Sequence, residues 1–437
     1  MSSTPLNLAI IGLGNVGTGV AKILLQQPER ITQRAGRPVC LAKAVVRDLK
    51  RNRDLSLPAG VLTDDLQSVI RDPNIHLACE LMGGIHPARE VILELLAAGK
   101  DVVTANKALL CQHGDEIFAA ARKSGRTVCF EAAVAGGIPI IAAVGQSMAA
   151  NQILGIQAIL NGTSNFILTE MLLKQQSYDS ALKAAQDLGY AEADPTLDVD
   201  GTDAAQKLGI LAQLAFGARV NTTQIHVSGI NTLEQTDIQH AANMGYTIKL
   251  LATARLNGDR LEMSVRPTLI HKDRPLAQIH GPFNAIQLEG DVVGSVGYSG
   301  RGAGQMPTAS AVTADVIDLA IGRAQLTFSQ LDLWSASPRF TLAPETDTRS
   351  RFYLRLSVED RPHVMADITD VLGRNGISLA TVIQPEAPEV EGSTPAPVVP
   401  LIIMTHRTSS GRLQQATNEL SRLSSVRQPL IVLAVSD

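Results

Sequence analysis

The chain has 437 residues, 45% of them hydrophobic and 18% charged, with a formal net charge of −4. That length and balance suit two or three globular domains, each with its own core. The slight acidity and an aromatic content of 3% exclude a basic or stacking surface for nucleic acid, and no apolar run reaches the roughly 18 residues that span a bilayer.

The opening residues, Met1-Ser-Ser-Thr-Pro-Leu6, lack the charged start and apolar stretch of a signal peptide, so a cytoplasmic protein is expected. Cys40, Cys79, Cys111 and Cys129 form no CxxC or CxxH pair and sit among apolar neighbours, which predicts buried, reduced thiols.

Over residues 1–135, short apolar runs alternate with helical patterns. Strands are predicted at Leu6–Ile11, Val39–Val46, Leu77–Leu81, Asp101–Thr104 and Thr127–Phe130, and helices over 16–27, 86–98 and 108–123. Such alternation implies βαβ units and a mostly parallel sheet. Gly12-Leu-Gly-Asn-Val-Gly17 lies between the first strand and the first helix, the context that turns a weak GxGxxG string into a dinucleotide fingerprint. Gly12 permits the tight turn, Gly14 lets the backbone approach a pyrophosphate, and Gly17 lets helix and strand pack closely. Asn15 and Val16 belong to the same cradle at the helix N-terminus. After the second strand, Asp48 would favour NAD through a ribose hydroxyl, whereas Arg47, Lys50, Arg51 and Arg53 would hold the 2′-phosphate of NADP. The cations outnumber the acids, which favours NADP(H), with NAD(H) as the other option. Val102-Val-Thr-Ala-Asn-Lys107 leaves a parallel strand at its carboxyl end, where Lys107 can approach both cofactor and substrate; Glu80-Leu-Met-Gly-Gly84 would line the same crevice.

Residues 136–304 change character, with strands expected at Ile153–Leu160, Arg260–Pro267 and Phe283–Leu288 among several helices. Between Gly189 and Lys207 the chain crowds Glu192, Asp194, Asp198, Asp200 and Asp203 into a run broken by Pro195 and Gly201. From Asp203 onward the period is helical, placing Asp203 and Lys207 one turn apart on one face. Spacing alone reads as a solvated loop with one helix-surface ion pair. Set opposite a dinucleotide crevice and Lys107, the cluster becomes a place to hold an ammonium group beside a proton donor.

A helix over about 305–330 is expected to pack back on the first domain, and 331–349 reads as a linker. Residues 350–437 follow the order βαββαβ, a ferredoxin-like unit of its own. Its second and third strands are separated by the acidic, proline-rich loop Pro385–Pro397.

Taken together, Gly12–Gly17, Glu80–Gly84, Val103–Lys107, Glu131–Pro139, Leu160-Asn-Gly-Thr-Ser-Asn165 and the acidic run resemble the homoserine dehydrogenases across about residues 6–325. Residues 350–437 are similar to an ACT domain. With no aspartate-kinase region before the first strand, the resemblance is to the monofunctional form. It implies a Rossmann-type dinucleotide domain, an α+β domain for substrate and dimerisation, and an ACT regulatory domain. The implied activity is NAD(P)H-dependent interconversion of L-aspartate 4-semialdehyde and L-homoserine, in threonine, methionine and isoleucine biosynthesis. By resemblance Lys207 is the acid–base residue and Lys107 lies at the cofactor–substrate junction. Glu192 and Asp203 would bind the amino-acid substrate, and Asp198 matches a further acid of the pattern. Gly304 would meet the nicotinamide end of the cofactor. A structural Na+ or K+ would be held by Glu131 and the carbonyls of Val134, Gly136 and Ile138. Threonine is the implied effector, at the turn Glu359–Val364 with Asn375–Ser378 opposite, and paired tails imply a homodimer or homotetramer. Residues alone leave open which lysine passes the proton. Two rivals stand beside this reading: a non-catalytic NADP(H) and amino-acid sensor, and an aspartate-semialdehyde dehydrogenase, which would need a nucleophilic cysteine.

Overall fold

A computed structural model of the chain describes residues 4–331, 333–335, 337, 339–385 and 397–436. Most of the loop Pro385–Pro397 therefore lies outside the described residues.

The N-terminal region is built from β1 (Leu6–Ile11), α1 (Asn15–Gln26), α2 (Pro28–Ala35), β2 (Val39–Val45), β3 (Leu62–Thr63), α3 (Leu66–Arg71), β4 (Leu77–Glu80), α4 (Ala88–Ala97), β5 (Asp101–Thr104), α5 (Lys107–Ser124) and β6 (Val128–Cys129). Its strands pair in parallel in the order β3-β2-β1-β4-β5-β6. The order reverses beside β1, so a crevice opens at the carboxyl ends of β1 and β4. Every residue of β4 is buried, as expected of a strand covered by helices on both faces. α2 was not anticipated, because its polar sequence PERITQRA offers only Ile31 and Ala35 to the interior.

The middle region follows with α6 (Ile140–Ala142), β7 (Ile153–Ile159), α7 (Gly162–Lys174), α8 (Tyr178–Asp187), α9 (Thr196–Val199), α10 (Thr202–Phe216), β8 (His226–Val227), α11 (Gln235–Asn243), β9 (Tyr246–Asn257), β10 (Arg260–His271), β11 (Phe283–Gly290) and β12 (Gly294–Arg301). The strands β7, β9, β10, β11 and β12 form antiparallel ladders, β10 along its whole length against β9. Two of them escaped the sequence reading. β9 is a central strand buried on both faces, so its sequence does not alternate; β12 is rich in glycine and serine and carries little strand propensity. The helix expected at about 305–330 is divided into α12 (Gln305–Ala320) and α13 (Arg323–Leu331) around Gly322, whose φ is +82°. α12 packs on α1, where a Cβ on Gly19 would stand 2.8 Å from that of Ala309.

The last region comprises β13 (Thr341–Leu342), β14 (Arg349–Glu359), α14 (Val364–Arg374), β15 (Leu379–Ile383), β16 (Val398–Thr405), β17 (Thr408–Ser409), α15 (Ser410–Leu420) and β18 (Val426–Ser436). The βαββαβ order stands, but the expected separate unit and linker do not describe how the chain is packed. β13, inside the expected linker, pairs with β10, and β18 pairs in parallel with β10 over Thr268–Ile270. One sheet thus runs β12-β11-β7-β9-β10-β18-β14-β16-β15. β14 explains the difference: Phe352, Leu354 and Leu356 face α14 and α15, while Tyr353 joins the core of the middle region. Arg355 shares that second face. Its Nε lies 2.6 Å and its Nη2 3.1 Å from the carboxylate of Asp237 on α11, and Nη2 also reaches Glu234 Oε2 at 3.1 Å.

Asp237 is fully enclosed, so removing its bidentate partner strands a buried charge. Arg355→Ala is expected to lower stability by on the order of 3–5 kcal/mol in urea denaturation. A loss below about 1 kcal/mol would instead describe a solvated surface pair.

Candidate active site

The dinucleotide cradle is shaped by close backbone approach. Gly12 has φ +103°, and a Cβ on Gly17 would stand 2.0 Å from the Gly12 carbonyl oxygen. A Cβ on Gly14 would meet nothing within 4 Å, so this glycine faces open space at the start of α1. No side chain caps α1, which leaves its first N–H groups free for a phosphate. Asn15 Oδ1 accepts from Gln305 Nε2 at 3.1 Å, bringing Gly304, with φ +121° at the head of α12, beside the glycine turn. Arg47 is exposed at the end of β2. The Asp48 carboxylate accepts from the Lys50 N–H at 2.8 Å, and Arg53 folds back on the carbonyls of Asp48 and Arg51. Of the basic group, Arg53 is therefore committed, whereas Arg47 is free to meet a ligand.

The crevice wall is a chain of polar contacts leading to Lys107. Buried Glu80 accepts from the N–H groups of Met82 and Gly83 and, at 2.8 Å, from Thr104 Oγ1. Asn106 caps α5 through the Leu109 N–H and ties itself to the Gly84 carbonyl at 2.6 Å. Lys107 is the first residue of the helix so anchored. α5 packs against α10, and Cys111 Sγ donates to the Gln206 carbonyl at 3.1 Å.

This seam brings the two lysines to one carboxylate. Lys107 Nζ lies 3.2 Å from Asp203 Oδ1, and Lys207 Nζ lies 2.7 Å from Asp203 Oδ2. Lys207 also donates to the Leu160 carbonyl at 2.8 Å. Asn161 Nδ2 spans Asp198 Oδ1 at 2.7 Å and Asp203 Oδ2 at 2.9 Å, while its Oδ1 caps α7 at the Ser164 N–H. Burial pushes the Asp203 carboxyl up, but the charges of Lys207 and Lys107 outweigh it and hold the group down at about 2. Asp198 is moved the other way, by burial first and then by the nearby Asp203 charge.

The other acids divide as their positions dictate. Asp194 accepts from Thr196 N–H and Oγ1, and Asp200 from the Thr202 N–H, so both are turned onto their own loop. Glu192 is exposed, and its carboxylate takes no part in the network among the described residues. Asn161 was visible only as one letter of the Leu160–Asn165 string; its signal was its place as an N-cap directly after a strand.

At the other candidate sites the fit is mixed. Glu131 is buried, and its two oxygens accept from the N–H groups of Ile141 and Ala142, each at 2.8 Å. Burial raises its carboxyl to about 7 against those hydrogen bonds. The Ile138 carbonyl accepts from the Ile140 N–H at 2.8 Å, whereas those of Val134 and Gly136 accept nothing among the described residues. A buried carboxylate beside uncommitted carbonyls is a donor set that suits a hard monovalent cation. In the last region a cleft of about 420 Å³ is lined by Glu359, Asp360, Arg361, His363, Gln384 and Leu401. Asn375–Ser378, expected opposite that turn, does not line it; Asn375 binds Glu419 Oε1 and the Val371 carbonyl instead. A cleft of about 450 Å³ on the open sheet face, among Arg255, Arg266 and Glu289, contains none of the predicted site residues. Cys40 is exposed rather than buried. Burial raises the thiols of Cys79 and Cys111, the latter to about 12, the wrong direction for the nucleophile that a semialdehyde acyl-transfer enzyme requires.

Comparison with known proteins agrees with this architecture. Residues 12–131 match the family profile "Homoserine dehydrogenase, NAD binding domain", 139–317 match "Homoserine dehydrogenase", and 352–425 match "ACT domain". The homoserine dehydrogenase of Pseudomonas aeruginosa is 41% identical over 439 residues, covering 99% of each chain. The crystal structure of a homoserine dehydrogenase from Thiobacillus denitrificans superposes with a TM-score of 0.90 at 40% identity, covering 100% of this chain and 99% of that one. A hyperthermophilic archaeal homoserine dehydrogenase in complex with NADPH superposes with a TM-score of 0.61 at 25% identity, over 73% of this chain and 98% of that one.

The folded Asp203 carboxyl titrates at about 2 against an ordinary 3.8. Its stabilising contribution, on the order of 2 kcal/mol, is complete above about pH 4 and is lost as pH falls toward about 2. Urea stabilities of the wild type and Asp203→Asn are expected to differ most near neutrality and to converge over that acidic window. A gap independent of pH would contradict the shared-lysine arrangement.

Proposed function

The chain belongs to the homoserine dehydrogenase family, oxidoreductases acting on a CH–OH group, and from that membership we propose that it reduces L-aspartate 4-semialdehyde to L-homoserine with NADPH, Lys207 delivering the proton. The observation that carries this reading is the single carboxylate of Asp203, which holds Lys107 and Lys207 together at the carboxyl end of β5.

The fit to the cofactor rests on the open N-terminus of α1, the space over Gly14 and the free Arg47. NADPH would lie with its pyrophosphate over Gly12–Gly17 and its 2′-phosphate at Arg47, and when bound it supplies the hydride. The engaged carboxylate of Asp48 favours this cofactor over NADH. As the aldehyde is reduced, negative charge grows on its oxygen. Lys207, braced by Asp203 and the Leu160 carbonyl, faces that charge as an ammonium group and gives up its proton as the alcohol forms. Lys107, nearer the nucleotide edge, orients the reacting oxygen. Asp203 is occupied by lysines and Asn161, so its part in substrate binding is indirect. Asp198 and the exposed Glu192 are the acids left to meet the substrate ammonium. In the reverse direction Lys207 removes the hydroxyl proton.

The Glu131 loop would bind Na+ or K+ and brace the turn between the nucleotide and middle regions. The ACT domain would bind threonine in the cleft at Glu359–Met365, where Glu359, Asp360 and Arg361 offer both signs of charge to a zwitterion. Among the described residues β15 pairs only with β16 and ends the sheet, leaving an edge for a second copy of the chain in a homodimer or homotetramer. The proposed setting is a cytoplasmic biosynthetic enzyme; among the described residues no helix is long and apolar enough to cross a membrane.

Purified protein mixed with aspartate semialdehyde and NADPH is expected to lose nicotinamide absorbance, and Lys207→Ala to lower kcat by about 10²–10⁴-fold. No turnover by the wild type refutes the reaction, and an unchanged rate in Lys207→Ala refutes that lysine as donor. In the same assay threonine at millimolar concentration is expected to inhibit, and Glu359→Ala with Arg361→Ala to relieve it. Indifference of the wild type to threonine leaves the cleft without that effector. Because ionised Glu131 is the form disfavoured by burial, Na+ or K+ is expected to raise Tm more at pH 8 than at pH 5, relative to choline at equal ionic strength. Equal Tm in all three salts removes the cation.

A further inference from the structure

Buried Lys249 takes no part in the proposed reaction. Lys249 on β9 is wholly enclosed, its Nζ donating to Asn165 Oδ1 at 2.9 Å and to the Ile279 carbonyl. Two acceptors match the two N–H bonds of a neutral amine, and burial pushes this amine down to about 7. An apolar side chain of the same volume would fill the space without the desolvation penalty. The lysine therefore matters for where its donors point.

They point at a segment that braces the proton donor. By occupying Asn165 Oδ1, Lys249 fixes the amide so that Nδ2 faces the carbonyls of Ile279 at 3.1 Å, Gly281 at 2.9 Å and Phe283 at 3.2 Å. Thr169 Oγ1 adds to the tie, donating to the Asn165 carbonyl at 2.6 Å and accepting from the Gly281 N–H at 2.9 Å. The next residue, Asn284, places Nδ2 3.0 Å from the Leu160 carbonyl, the same oxygen that accepts from Lys207. The Pro282 carbonyl lies so close to Gly162 that a Cβ there would stand 2.8 Å from its oxygen. Segment 279–284 thus presses on the first turn of α7, whose cap is Asn161.

We propose that Lys249 is a positioning residue for the reaction: through Asn165 and segment 279–284 it fixes the Leu160 carbonyl and the Asn161 amide against Lys207 and Asp203. The inference rests on the assignment of proton delivery to Lys207, and its test separates the two. Lys249→Met keeps length and removes the donors; Asn284→Ser keeps Lys249 and severs the far end of the same path. Turnover is measured together with the acetylation rate of Lys207 by acetic anhydride, read by peptide mass spectrometry against exposed Lys183. Both variants are expected to lower kcat about tenfold or more with the KM for NADPH changed less than about twofold. In both, Lys207 is expected to acetylate at least about threefold faster, since a lysine released from its acceptors is freer to react. Folded variants with unchanged kcat and unchanged Lys207 labelling overturn the proposal. If the wild type shows no turnover, the proposed reaction fails and the labelling alone decides the positioning. If Lys249→Met does not fold, Asn284→Ser decides it by the same criteria.

Discussion

One carboxylate shared by two ammonium groups is the constraint on which the site depends. Asp203 sits in the first turn of α10, where the free N–H groups of a helix favour negative charge. Lys107 and Lys207 reach it from helices a hundred residues apart in sequence, so the seam between α5 and α10 sets their separation. Burial would neutralise an isolated carboxyl at this depth; here the two cations keep it ionised. The same arithmetic leaves the trio with an excess of positive charge in a partly enclosed space. That excess suits a reacting oxygen that becomes negative and is later protonated.

The second dependence runs through the large sheet. β14 is buried on both faces, so the ACT domain is packed on the catalytic half as well as tethered to it. The Arg355–Asp237 pair fixes the register of that contact, because Asp237 also belongs to the capping box of α11. α11 in turn packs against α7 and β9, the elements that carry Asn161, Asn165 and Lys249. The cleft at the end of β14 therefore lies on a strand whose contacts continue through α11 to α7 and β9.

Much of the nucleotide half was legible because parallel strands are uniform apolar runs and the glycine turn has fixed geometry. Leu6–Ile11 and Asp101–Thr104 match the expected bounds, the other three expected strands differ by one or two residues, and the two-residue β3 was not anticipated. The pairing of Asp203 with Lys207 followed from helical period, whereas the sequence placed Lys107 only at the carboxyl end of β5, and its meeting with the same carboxylate appears in the fold. What was not legible depends on neighbours distant in sequence. β9 lost its alternation because both faces are covered, and β18 looked like the end of a small unit because nothing in its own residues shows that β10 has a vacant edge. Local pattern also does not separate exposed Glu192 from buried Asp203, although both belong to the same acidic run. Nothing in the run Tyr-Thr-Ile-Lys-Leu-Leu marks Lys249 for burial, since lysine is rarely enclosed.

The parallel pairing of β18 with β10 also orders events during synthesis. The edge of β10 at Thr268–Ile270 is completed by Ala434–Ser436, the last described residues of the chain. While the ribosome is still translating the ACT region, the catalytic sheet has an unpaired border of the kind that recruits other strands. A nascent chain therefore reaches its finished sheet only after β18 has been made, and a truncation within that strand would expose an adhesive edge in the half of the protein that does the chemistry.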